Sequence, residues 1–153
     1  MTDRADEITA FLAQTDWATA TQHPLQQDAS NRRYIRLVQD SSRSIFMDAP
    51  ASAGEDVRPY VDITTRLRDA GLSAPEIYAQ DVAKGLLLLE DLGYDLFAYT
   101  LAHIPDMEIE LYTAAVDVLI ALHHQTPATG LSPYDAATMG QLAALAAVWY
   151  APN

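Results

Sequence analysis

The 153-residue sequence contains no cysteine, which excludes a disulfide framework, a thiolate nucleophile and cysteine-ligated zinc. Positive charge is scarce. Nine Lys and Arg stand against 21 Asp and Glu, for a formal net charge of -12, which repels nucleic-acid phosphates and anionic membrane surfaces at long range. Neither kind of partner is expected, and an anionic ligand would need a local cluster of donors. Long hydrophobic runs are also missing. The most apolar segment, Ala136 to Tyr150, is interrupted by Gly140 and Gln141 and falls short of the roughly 20 residues that cross a bilayer. The opening stretch, Met1 to Glu7, has no basic start and no apolar core, so an export signal is not expected and a cytoplasmic location is.

What is present is ordinary for a folded chain: 50% hydrophobic and 20% charged residues. That composition excludes a disordered or collagen-like protein, and the length suits one domain or a small domain plus part of a second. Ile8, Phe11 and Leu12 predict a helix over Asp3 to Gln14, and Thr15-Asp16 a cap for a short second helix carrying Trp17. Alternation predicts strands over Tyr34 to Val38 and Arg43 to Asp48, joined by the polar stretch Gln39 to Ser42. Asp56 is placed to cap a helix that ends at Gly71, with Val57, Tyr60, Val61, Thr64, Leu67 and Ala70 as its buried stripe. A second hairpin follows, from Pro75 through Tyr78 and back through Leu86 to Leu89, turned by Asp81 to Gly85. Beyond Gly93 the pattern becomes helical: a short helix capped by Asp95, a longer one from Pro105 to about His124 set inside a helical layer, and a third from Pro133 to about Tyr150.

Four segments in order carry a resemblance: Asp28 to Tyr34 followed by Ile35-Arg-Leu37, Phe46 to Pro50, Gly71 to Pro75, and Gly85 to Gly93. Together they resemble the aminoglycoside phosphotransferase family, and within it the branch of kinases that phosphorylate cell-wall amino sugars at the anomeric position. The resemblance implies an α+β fold: a protein-kinase-like small lobe, an antiparallel sheet with one packed helix, over residues 1–92, followed by the first helices of a large lobe over 93–153. It further implies that ATP lies between the lobes, with the carbonyl of Glu90 and the amide of Leu92 at the adenine edge and Ile45 and Leu89 over its faces. Ser30, Asn31, Arg32 and Arg33 would then lie above the phosphates. The structural alternative for this loop is a polar hairpin connection with solvent-facing arginines.

Two departures from the family pattern stand out. Met47 occupies the third-strand position where kinase-like enzymes carry a phosphate-neutralising lysine, and the helix after Asp56 has no interior glutamate to pair with one. Arg32, Arg33 or Arg36 are candidates to supply the charge. Moreover, the sequence holds only two asparagines, Asn31 and Asn153, and no His-x-Asp segment, so neither a catalytic loop nor its magnesium ligands can be assembled. Asp91-Leu-Gly93 looks like a metal-binding triplet but precedes the helical part, and no catalytic or metal residue is assigned.

The expectation is therefore the first portion of an ATP- and Mg²⁺-dependent kinase of a sugar or aminoglycoside hydroxyl, inactive alone, either cut from a longer protein or naturally short. Its partners would be a nucleotide and a small sugar, with self-association through exposed apolar helices. A shortened, non-catalytic kinase-like docking module is the rival, and an acidic α+β domain without a nucleotide site the third reading. His123-His124 does not suit a metal, because adjacent helical residues diverge by about 100°. Glu108, Glu110 and Asp117 do not form a glycosidase pair, and no Gly-x-Ser-x-Gly elbow is present.

Overall fold

The computed structural model describes residues 3–26 and 30–150. Asp28 and Ala29 of the first motif, and Asn153, lie outside them. Helix α1 (Arg4–Leu12) starts where the Asp3 carboxylate accepts from the Ala5 amide, with Asp6 and Glu7 at the positive end of the helix. It buries Phe11 and Leu12. The short helix expected around Trp17 does not form: the Thr15 hydroxyl donates to the Leu12 carbonyl (2.8 Å) and accepts from the Trp17 amide (3.2 Å), which closes a turn instead.

Five strands follow, β1 (Thr21–Pro24), β2 (Arg33–Gln39), β3 (Ser42–Asp48), β4 (Ile77–Asp81) and β5 (Leu86–Glu90). They form one sheet in the order β1-β2-β3-β5-β4, every neighbouring pair antiparallel. β1 was not expected. It is an exposed edge strand without an apolar face, and Pro24 stands at its end, where a missing donor is tolerated. β2 and β3 run one residue further into their loop than alternation predicts, leaving Asp40-Ser41 as the turn, with Asp40 at φ 54°.

The sheet lies between two apolar clusters. Leu37, Phe46, Leu86 and Leu88 meet Phe11 and Leu12 of α1 on one face. Met47, Ala49, Leu87 and Leu89 meet Val57 on the other, with Tyr60 and Val61 of helix α2 (Arg58–Asp69) packed beside them. β5 feeds both clusters, and all four of its leucines are buried. Each contributes about 1.5–3 kcal/mol relative to exposure. α2 carries the expected stripe, and the four-residue spacing of Asp62 and Arg66 gives an exposed ion pair of 2.9 Å. Asp56 does not sit at the cap position: its carboxylate accepts from the Arg58 amide (2.9 Å), while Val57 is the capping residue. The α+β expectation, a kinase-like small lobe with a helix between its third and fourth sheet strands, is the fold that forms.

Three helices follow: α3 (Phe97–His103), α4 (Glu108–His123) and α5 (Ala136–Tyr150). Leu96, and not Asp95, precedes α3 as its cap, without a side-chain bond. Pro105 opens a single 3₁₀ turn before α4, and the start of α5 is fastened by Asp135, whose carboxylate accepts from the Thr138 amide (2.9 Å). α4 is not enclosed in a helical layer. Ile109 is 82% exposed and Val116 and Leu119 more than half, so the first compact unit does not by itself cover this face. The chain divides into two compact units after Leu122. Among the described residues no helix is long and apolar enough to cross a membrane.

Gly85 closes the β4–β5 turn at φ 68°, and a Cβ built there would lie 2.0 Å from the Ala49 carbonyl oxygen. Backbone fills that space, so relaxation requires separating β3 from β5. Gly85→Ala is expected to cost about 3 kcal/mol or more, read as a lowered urea midpoint. The matched Gly54→Ala, also at positive φ but with open space around it, should cost only about 1 kcal/mol.

Candidate functional site

Side chains alternate along β2, and this alternation sorts the arginines. Tyr34 lies opposite Met47 and Arg36 opposite Ile45, on the α2 face, while Arg33 lies opposite Asp48. Asp48 is buried and receives Arg4 Nη2 of α1 at 2.6 Å together with a short contact from Arg33, and Arg4 also donates to the Lys84 carbonyl (2.8 Å). Arg33 is therefore committed to the α1 face.

On the α2 face a cleft of about 490 Å³ opens where β5 ends, within the range of small-molecule sites. Ile45 and Leu89, directly opposed in the β3–β5 register, form its apolar floor. Glu90 and Leu92 form its edge, and Tyr34 and Tyr60 line it as well. The Leu89 carbonyl accepts from the buried Ser44 hydroxyl (2.7 Å), and the Glu90 amide donates to the Glu76 carbonyl (2.8 Å). Pairing ends at Glu90, so the main chain of Leu92 lies outside the ladder.

Four of the nine sequence-chosen residues, Ile45, Leu89, Glu90 and Leu92, thus line one cleft. The other five do not line it. Met47 is fully buried beneath α2, packed in the cluster with Val57 and Leu87. Ser30 lies in the bend before β2 and is partly buried. The Asn31 amide donates to Glu55 Oε1 (3.2 Å) and its side chain to the Ala53 carbonyl (2.9 Å), which ties the loop to the middle of the β3–α2 connection. Arg32 joins the same tie through Glu55 Oε2 (2.7 Å), and hydrogen bonding to Glu55 holds its guanidinium still more firmly charged than usual.

The feature missed by pattern alone is the wall made by Arg36. Its guanidinium is buried and bidentate on Asp91 (2.6 and 3.0 Å), donates to the Gly93 carbonyl (3.2 Å) and lies 3.8 Å from the centroid of the Tyr94 ring. Asp91 also accepts from the Gly93 amide (2.9 Å). Burial by itself would raise the Asp91 pKa, but the hydrogen bonds from Arg36 and the Gly93 amide, aided by the charges of Arg36 and Arg43, hold it below the ordinary carboxylate range. Burial pushes the Tyr60 phenol up. A larger hollow of about 610 Å³, bounded by Trp17, Arg43 and Tyr78 among others, shares no residue with the cleft and holds none of the expected residues.

Residues 21–153 match the model of the phosphotransferase enzyme family, APH. The chain belongs to that family. It is 39% identical over 127 residues to an N-acetylmuramate/N-acetylglucosamine kinase of Pseudomonas aeruginosa, covering 83% of this chain and 37% of that protein. Proteins of the same name from Caulobacter vibrioides and Pseudomonas putida are each 34% identical, over 84% and 80% of this chain and 42% and 35% of theirs. The chain thus spans about two fifths of the length of the curated relatives it matches. The family match begins after α1, yet α1 supplies Phe11 and Leu12 to the core and Arg4 to Asp48.

The Asp91 carboxylate has a folded-state pKa below its unfolded value, near 3.9. Its contribution is therefore fully present above that value and is lost as pH falls through the folded pKa. Asp91→Asn leaves Arg36 buried without a charge partner and is expected to cost about 3 kcal/mol at pH 7. Urea unfolding of both proteins at several pH values checks this: the gap should be constant above about pH 5 and shrink below about pH 4.

Proposed function

We propose that this chain is the nucleotide-holding small lobe, with the first helices, of an ATP-dependent phosphotransferase acting on a hydroxyl of a cell-wall amino sugar, with Gly93 as the join between the two parts. The carrying observation is the cleft at the end of β5, where the Glu90–Leu92 main chain leaves the sheet beside Ile45 and Leu89. A flat base fits an apolar floor, and main-chain groups along one edge recognise it without requiring a particular side chain. The kinship supports the phosphoryl chemistry, because the relatives are named kinases of N-acetylmuramate and N-acetylglucosamine.

The phosphates would extend toward the loop of Ser30, Asn31 and Arg32. Arg32, the residue before β2, interacts with Tyr34 of the cleft lining, whereas Arg33 is turned to Asp48 on the other face. Bound ATP would supply the transferable phosphoryl group; the part of these residues is to grip base and tail. Among the described residues no three His, Asp or Glu side chains are grouped to hold a metal, so no role toward Mg²⁺ is assigned to them. With no His-x-Asp segment and no asparagine beyond Asn31 and Asn153, the chain lacks the base and metal ligands that the transfer requires.

Calorimetry on the chain tests the reading. Adenosine and ATP are expected to bind weakly but saturably, and Leu92→Pro, which deletes the edge donor, should weaken adenosine about tenfold, the scale of one lost hydrogen bond. Absence of binding by the unaltered chain overturns the nucleotide reading. No turnover of ATP with N-acetylmuramate and Mg²⁺ is expected, and measurable turnover by pure material overturns the assigned inactivity. The second reading, a non-catalytic docking module, is favoured by the exposed apolar residues of α4 and of Leu142 to Tyr150 in α5.

A further inference from the structure

We propose that Arg36 is a positioning residue that fixes the Glu90–Leu92 main chain in the conformation a base requires; this rests on the nucleotide reading above. The segment that would meet the base begins where sheet pairing ends, so the ladder alone leaves its path open. Main-chain recognition tolerates little freedom, because a donor and an acceptor must stay aligned with two fixed atoms of a ligand. Something must hold the segment from behind.

Arg36 is the group placed to do so. It stands on β2, an element of the rigid sheet, opposite Ile45 of the cleft floor. From there it reaches 55 residues along the chain to Asp91, then the Gly93 carbonyl, then the Tyr94 ring, taking hold of three of the four residues that follow β5. Asp91 turns back on the Gly93 amide, which closes the bend from within. The guanidinium and the carboxylate are 9% and 2% exposed, so the pair is shielded from water and competing ions.

Its chemistry argues for placement and against a direct part in phosphate binding. A cation that serves the phosphates must be free to meet them, and Arg36 has its charge matched by Asp91, its third contact on a carbonyl and its face on a ring. A buried pair of this kind contributes little net stability relative to apolar residues but is costly to break on one side. That is the property required of a fixed strut. Lysine could not replace it, since an ammonium group cannot make the bidentate contact and stack at once.

The test uses the chain, adenosine as the probe and three readouts: affinity, thermal midpoint and amide hydrogen exchange of residues 90–94. Arg36→Met and Arg36→Lys should each weaken adenosine about tenfold and speed exchange in that segment. Phe46→Leu, which loosens the opposite core face, should lower the midpoint without changing affinity or local exchange. Should Arg36→Met fail to fold, Arg36→Lys and Tyr94→Leu decide the matter; Tyr94 is largely exposed, and its removal should weaken adenosine two- to threefold in a folded protein. If the unaltered chain binds adenosine and these variants bind equally well, the positioning role is overturned and the nucleotide reading stands. If the unaltered chain binds none, the nucleotide reading falls and takes this role with it.

Discussion

β5 is buried on both faces, and most of the molecule is arranged around that constraint. Leu86 and Leu88 enter one apolar cluster, Leu87 and Leu89 the other, so the strand holds α1 and α2 to opposite sides of a single sheet. Four leucines in a row supply driving force but not register, because a one-residue slip exchanges one leucine for another. Register is set at the two ends. Gly85 presses against Ala49 and exchanges a backbone bond with it (2.8 Å), and Ser44 holds the Leu89 carbonyl. The strand therefore delivers Glu90 to a fixed point, and the cleft inherits that precision.

Two buried ionic groups extend the same logic to the two faces. Asp48 gathers Arg4 and Arg33 on the α1 face, while Asp91 gathers Arg36 on the α2 face. Neither is a strong source of net stability, since desolvation offsets most of the attraction. What each provides is place: the first ties α1, the root of β2 and the β4–β5 turn to β3, and the second ties the segment leaving β5 to the sheet. The arginines that serve them are three residues apart on β2, and strand alternation sends them to opposite sides.

The parts legible in the sequence were those written as pattern. Alternation marked β2 and β3, the 3.6-residue stripe marked α2, and the family words ran in the order of a kinase-like small lobe. β1 was illegible because an exposed edge strand such as Thr21–Pro24 needs no apolar face; it is held by main-chain pairing to β2. Polar residues were found but given the wrong local partners: Thr15 closes a turn, Asp56 holds Arg58 one step before the helix, and Asp95 caps nothing. In the cleft, Ile45 and Leu89 followed from the family resemblance. The Arg36–Asp91 clasp spans 55 residues, and no local rule connects positions so far apart. Its trace was the alternation that put Arg36 on the Tyr34 face, combined with an acid directly after a buried strand.

The charge pattern limits how a triphosphate could be accommodated on the phosphotransferase reading. Met47 carries no charge where a lysine would serve, and the single lysine of the sequence, Lys84, is bound to Asp81 in the β4–β5 turn. Arg32, Arg33 and Arg36 all begin with carboxylate partners. Recruiting any of them means exchanging a carboxylate for a phosphate, and the cost of that exchange depends on burial. Arg36 would have to abandon an almost water-free Asp91, at about 3 kcal/mol or more, and Arg33 would strand part of the buried Asp48 cluster. Arg32 and Glu55 are less enclosed than Arg36 and Asp91, at 30% and 14% exposure against 9% and 2%, and Glu55 would keep its bond from the Asn31 amide. The cheapest cation to release is thus Arg32, which stands just before β2 beside Tyr34, and the costliest is the one that holds the cleft's edge in shape.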